Sequence, residues 1–281
     1  MAIRDPWEPR QNIERSYFYS LQEIVEYLIQ ASKDITDPYM FLQVLRHALN
    51  APKINRFAEQ ASKNMVTHVF TDGSKTWRAA ARNDSKGKII YEALRKELQG
   101  PVGDHVAYQI QRNAEIIKTL PLSLADQVTK YIARETAKDR RAEDIARDIQ
   151  RMIPENSRAK ALLIARTEVS KTSTALTRAR AQDIGLEWYE WRTSEDSRVR
   201  SSHRKMDHVL IRWSDPPAPE LLVGEKSQGH YGPGEIYNCR CYPAPVINFD
   251  RLSWPHKVYM NGQIQSLSLS KVKAIGRTIA A

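Results

Sequence analysis

The chain has 281 residues, 41% of them hydrophobic and 27% charged, a soluble globular balance that suits one large domain or two ordinary ones. No apolar run approaches the roughly 20 residues of a membrane-spanning helix, and the opening Met1-Ala-Ile-Arg-Asp-Pro-Trp7 lacks a signal-peptide core, so no membrane partner is expected and the chain reads as made in a cytoplasm or carried in a particle assembled there. Lys plus Arg exceed Asp plus Glu by 43 to 33, a net charge of +10, which favours contact with nucleic acid or an acidic protein surface but also reads as solubility charge spread along amphipathic helices.

Residues 1–15 are polar and proline-containing and predict an extended arm. From Tyr17 to Ser32 the apolar Leu21, Ile24, Val25 and Leu28 fall at helical spacing. Asp37-Pro38 reads as N-cap plus first-turn proline, opening a helix through Leu49. A third helix is expected from Ile54 to Val69, ending before Thr71-Asp-Gly-Ser74, with short helical stretches at Lys75–Asn83 and Gly87–Leu98. Gly100-Pro101-Val-Gly103 is the clearest break in this half, and a domain boundary is placed there.

Beyond it, helices are expected over Val106–Leu120, Ser123–Ala137 and Arg141–Ile153. Pro121 and Pro154-Glu-Asn-Ser157 read as stops, and Arg158–Ile184 as a long helix closed by Gly185 at C′. After Gly185 the period changes. Glu187–Thr193 reads as an aromatic strand, Asp196 or Ser197 as the cap of a short helix through Met206, and Val209–Trp213 as a second strand. Ser214–Tyr231 is a Pro/Gly-containing loop, and Asn238–Val246 a third strand whose Pro243 and Pro245 suit an edge. Residues 249–281 carry Lys271, Lys273 and Arg277 and read as a basic tail, the expected nucleic-acid contact. The predicted fold class is α+β, predominantly helical, with a small mostly antiparallel sheet near the C-terminus. Three regions follow: an N-terminal helical region 1–103, a second domain 104–248, and the tail 249–281.

Chemistry-bearing residues concentrate between Trp188 and Val246, which holds both cysteines and three of the seven histidines. Cys239 and Cys241 form a C-x-C; on a strand their Cα atoms would lie about 6.5–7 Å apart, at the edge of disulfide reach. Reduced thiols packed beside His203 are the plain reading. Ligation of a structural zinc by His203, Cys239 and Cys241, completed by His208 or His230, is the sharper one. His208 after Met206-Asp207 also suits a turn with positive φ. Asp196 reads as a cap before a ligand. Arg166 and Glu168, two apart on a helix, cannot pair with each other and are expected to anchor neighbouring loops. Phosphate-loop, dinucleotide, zincin and nucleophile-elbow motifs are absent, so no catalytic residue and no cofactor beyond that zinc is assigned.

The order of these pieces resembles the phage Mu F-like family of minor head proteins. The matching residues are Ile164-Ala-Arg-Thr-Glu168, Gly185 with Trp188-Tyr-Glu-Trp191, Asp196-Ser-Arg-Val-Arg200, Ser202-His203, Met206-Asp207, Pro216-Pro217, Pro233-Gly234 and Asn238-Cys-Arg-Cys241; the likeness spans about residues 105–246. One departure is His208, where the family pattern has Gly. The resemblance implies a non-enzymatic protein inside a tailed-phage head, assembled in the host cytoplasm. Its partners would be the portal protein, a capsid or scaffolding protein and the packaged DNA, and its role head assembly or genome delivery. The rival from the residues themselves is a metal-dependent nuclease built on His203, Asp207, Asn238 and the cysteines, or a zinc-stabilised DNA-binding module.

Overall fold

The computed structural model describes residues 5–82 and 84–278, with side chains at the C-terminal end described to residue 275. Its elements in order are α1 (Gln11–Ser32), α2 (Pro38–Leu49), α3 (Pro52–Arg82), α4 (Gly87–Lys96), α5 (Pro101–Thr136), α6 (Ala142–Asp183), β1 (Trp188–Arg192), α7 (Ser201–Met206), β2 (Val209–Arg212), β3 (Tyr242–Pro245), β4 (His256–Met260), β5 (Gln263–Leu267) and α8 (Leu269–Thr278). Predominantly helical α+β architecture is what the chain adopts. Its internal packing groups into two compact units, one of residues 11–68 and 107–168, the other of residues 1–10, 69–106 and 169–281.

The first unit is all helical. Helix α2 begins where capping predicts: the Asp37 side chain accepts from Tyr39 N at 2.9 Å, with Pro38 in the first turn. Its core is mostly aliphatic: Leu21, Ile24, Val25, Leu28, Leu45, Ile54, Ile117, Leu120, Val128 and Ile149 are fully buried, as is Phe41. Arg166 pairs with Glu14 at 3.3 Å and the buried Glu168 with Arg112, so these two residues anchor helices α1 and α5 rather than loops. Helix α1 also starts at Gln11, inside the stretch read as an extended arm.

Helices α3, α5 and α6 are each longer than expected because three breakers do not break. Gly73 sits inside α3, Pro121 inside α5 and Pro154 inside α6. A proline removes one backbone donor and crowds the preceding turn. On both sides of Pro121, however, the same stripe is buried (Ile117 and Leu120, then Leu124 and Val128), as it is around Pro154 (Ile149 and Ile153, then Ala161). Continuous burial outweighs the local penalty. Gly73 has its own reason, since a Cβ there would fall 2.5 Å from Arg180 Nη1.

The second unit holds a five-stranded sheet in the order β3-β1-β2-β4-β5, antiparallel throughout except for the parallel pair β2–β4. Strand alternation divides it into two faces. Tyr189, Trp191, Val209 and Ile211 pack with Trp77 of α3, Ile90 and Leu94 of α4, and Ala181 of α6, all in one cluster with Cys239, Cys241 and Tyr231. On the opposite face Trp188, Leu210, Val246 and Val258 pack with Val272 of α8. Strand β3, with its two prolines, is an edge, as a strand unable to donate at two positions must be. The segment read as a basic tail contributes β4, β5 and α8. Asn261-Gly262, both at positive φ (50° and 78°), makes the tight β4–β5 turn.

Candidate functional site

His203 is carried on the short helix α7 and points into the core beneath β1, its ring edge-on to Trp191 at 5.3 Å between centroids. The two cysteines approach it from the extended segment that leads into β3. That segment is set by two left-handed residues, Gly234 (φ 82°) and Asn238 (φ 56°). Gly234 has no substitute: a Cβ there would meet the Cys241 carbonyl and Thr174 Oγ1 at 2.9 Å each. Thr174 Oγ1 donates to the Pro233 carbonyl at 2.6 Å, fixing the turn to α6. Arg240, between the cysteines, points away and pairs with Asp196 at 2.5 Å.

This places Cys239 Sγ and Cys241 Sγ each 3.5 Å from His203 Nδ1. The three ligand-type atoms lie within 4.8 Å of one another, and the residues are only 2–3% exposed. Both cysteines are free thiols. Cys239 is held well below the usual thiol range, chiefly by its hydrogen bond with Cys241 and then by His203, against the opposing effect of burial. Cys241 is pushed up, by Cys239 first and by burial second. One proton of the pair leaves easily and the other is held.

On the far side of the imidazole, Nε2 lies 3.0 Å from the Tyr231 hydroxyl, which donates to Glu220 in a short hydrogen bond. Burial, and then Glu220, raise the Tyr231 pKa well above the ordinary phenol value. Tyr231 and Glu220 come from the long loop between β2 and β3 and were not singled out in the sequence. A tyrosine and a glutamate in a Pro/Gly-containing loop carry no periodic signal, and Gly229-His230-Tyr231-Gly232-Pro233 is the one local hint of a tightly held turn.

The other candidates fall elsewhere. His208 takes a left-handed φ of 57° with its backbone N–H on the Trp191 carbonyl at 2.9 Å, and its ring faces Glu190; it is a turn residue and does not join His203. His230 is exposed and contacts the Pro216 carbonyl at 2.9 Å. Asp196 accepts from Arg198 N at 2.8 Å as a local cap, and Asp207 accepts from Thr193 N at 2.9 Å. Arg200 reaches the Tyr237 carbonyl and lies over that ring at 5.3 Å. Lys271 and Lys273 are exposed on α8, Lys273 at 4.0 Å from Asp250; the Arg277 side chain lies outside the described residues. The motif residues are thus held by one another or by their neighbours: Asp196 with Arg240, Asp207 with Thr193 just past β1, and His203 with both cysteines.

That self-contained signature has a counterpart in other proteins. Residues 126–243 match the family model described as Phage Mu protein F like protein. This stretch is similar to that family. The match runs from the second half of α5 through the C-x-C segment to the start of β3, and so encloses His203, Glu220, Tyr231, Cys239 and Cys241. An uncharacterised protein of Haemophilus influenzae (strain Rd) is 31% identical over 136 residues, which cover 48% of this chain and 28% of that relative. The chain therefore spans well under a third of the curated relative it matches. No solved structure matches the chain.

Proposed function

We propose that the protein is a minor component of a tailed-phage head, structural rather than enzymatic, which docks on the portal inside the procapsid and assists head assembly or genome delivery. The Mu F-like match over residues 126–243 carries this reading, because the family is one of phage head morphogenesis. Its motif residues are spent on caps, turns and core contacts, which supports a role for that stretch as a folding unit. Helices α1 and α2 lie outside the matched residues and expose Tyr19 (63%), Tyr39 (58%) and Met40 (44%), side chains suited to a partner of the assembling head. The net charge of +10 suits residence beside packaged DNA, with Lys271, Lys273 and Arg277 as the expected contacts.

Particles assembled with and without portal protein test the docking claim. The protein should be recovered with particles only when portal is present; recovery independent of portal overturns it. Binding to duplex DNA that does not weaken steeply between low and high salt overturns the DNA contact. Cleavage of that DNA, lost in His203→Ala, would replace the structural reading by the nuclease.

A further inference from the structure

The Tyr231 hydroxyl has one proton, and it is committed. It is donated to Glu220 Oε1, with both residues buried, so the phenol oxygen meets His203 Nε2 at 3.0 Å as an acceptor. The imidazole therefore donates from Nε2, and Nδ1 is the ring nitrogen that faces the two sulfurs. Both sulfurs stand at the same 3.5 Å from that nitrogen. With zinc–sulfur bonds of about 2.3 Å and zinc–nitrogen bonds of about 2.0–2.1 Å at tetrahedral angles, each N···S edge is about 3.6 Å. Two of the three edges already have the spacing of one tetrahedral face, and the third, between the sulfurs, is within 4.8 Å.

The outer contacts agree. A ligating histidine ordinarily donates its second ring N–H to a carboxylate or an equivalent acceptor, which fixes the tautomer and raises the basicity of the ligating nitrogen. Here the hydroxyl of Tyr231 passes that role to Glu220. Glu220 is 2% exposed, and among the described residues no cation pairs with it. A buried carboxylate without a cation is costly, and a dication at the far end of the His203–Tyr231 relay would offset it.

We propose that His203 Nδ1, Cys239 Sγ and Cys241 Sγ bind one thiophilic divalent cation, zinc by availability and ligand type, with the fourth corner taken by a small ligand from outside the chain. Binding a Zn2+ ion forms one Zn–N and two Zn–S bonds and sends to solvent whatever protons His203 Nδ1 and the two sulfurs carry. The site ties α7 to the segment entering β3, so the ion would act on the folding of this unit. This inference does not rest on the head-protein reading.

The full chain, purified from zinc-supplemented cells without chelators or a metal-binding tag, should retain about one zinc per chain by elemental analysis. Co2+ in its place should give the absorption of a tetrahedral cysteinate site. Cys239→Ser with Cys241→Ser should abolish both signals. Tyr231→Phe keeps all three ligands and should weaken zinc, measured against a chromophoric chelator, by about 10–100-fold. A folded parent chain that takes up neither ion overturns the proposal, as does binding unchanged in the double serine variant. Should that variant fail to fold, Tyr231→Phe decides: unchanged affinity overturns the site as drawn.

Discussion

Removing the carboxylate of Glu97 should do more damage than any surface substitution in the chain. Glu97 and Arg180 are 7% and 4% exposed. Arg180 Nε donates to Glu97 Oε2 at 2.6 Å, and its Nη2 donates to Ser74 Oγ at 2.8 Å and to the Phe70 carbonyl at 3.0 Å. Ser74 in turn donates to Glu97 Oε1 at 2.8 Å, and the guanidinium lies over the Phe70 ring at 4.7 Å. Glu97→Ala leaves the charge of Arg180 buried with two neutral acceptors and no counter-charge, which costs about 3–5 kcal/mol. For a unit of this size that lowers the midpoint by about 6–20 °C, at about 2–4 °C per kcal/mol. Replacing both partners by apolar residues, as in Glu97→Leu with Arg180→Met, removes the stranded charge and should return stability to within about 1 kcal/mol of the parent or above it. Tryptophan fluorescence in urea isolates the effect, because all six tryptophans (7, 77, 188, 191, 213 and 254) lie in the unit that holds this pair. A Glu97→Ala variant within about 1 kcal/mol of the parent, or a double variant no better than the single, would refute the reasoning.

Three further outcomes are expected. Glu135 is held down at about 2 by Arg134, Lys138 and Arg140. A depressed carboxylate contributes stability that is full above its unfolded value and is lost as pH falls through the folded one, so the thermal midpoint should drop between about pH 4.5 and pH 2, less steeply in Glu135→Gln; parallel acid limbs would contradict this. Asp148, lowered by Tyr131 and Arg140, adds to the fall with the same sign. Gly234→Ala must force a Cβ to 2.9 Å from the Cys241 carbonyl at a φ of 82°, a strain of at least about 2 kcal/mol by chemical denaturation; a neutral result would mean that the turn is not held as described. His208→Gly removes a left-handed cost of about 1 kcal/mol and forfeits only a 3.3 Å contact between a half-exposed His208 and Glu190, so it should stabilise by some tenths of a kcal/mol, and a loss beyond about 1 kcal/mol would show that the ring does more than turn the chain.

Sequence reading succeeded where the decisive physics is local. A cap and a first-turn proline place Asp37-Pro38, Gly185 closes α6 at a φ of 71°, and two prolines consign β3 to an edge. It failed where a local penalty was overruled at a distance. Pro121, Pro154 and Gly73 read as breaks, but the burial on either side of each proline, and the Arg180 side chain over Gly73, are set by residues far along the chain. Strands β4 and β5 were lost for the converse reason. Only Val258 and Tyr259 of their ten residues are buried, so the apolar alternation is faint, and Asn261-Gly262 was the turn signal that marked the hairpin.

The candidate site divides in the same way. Residue type and the C-x-C spacing were enough to associate His203 with Cys239 and Cys241. They could not say which imidazole nitrogen faces the thiols, because that depends on Tyr231 and Glu220, which lie 28 and 17 positions from His203 in an aperiodic loop. Three donor residues with an undetermined tautomer are compatible with plain packing or with a metal. Once the tyrosine proton is committed to Glu220, Nε2 donates to the phenol oxygen, and Nδ1 is the nitrogen left to face both sulfurs at 3.5 Å. The loop that carried no motif is therefore what turns a core histidine into a directed donor, and the two buried polar residues it supplies have a cost that only a satisfied network repays.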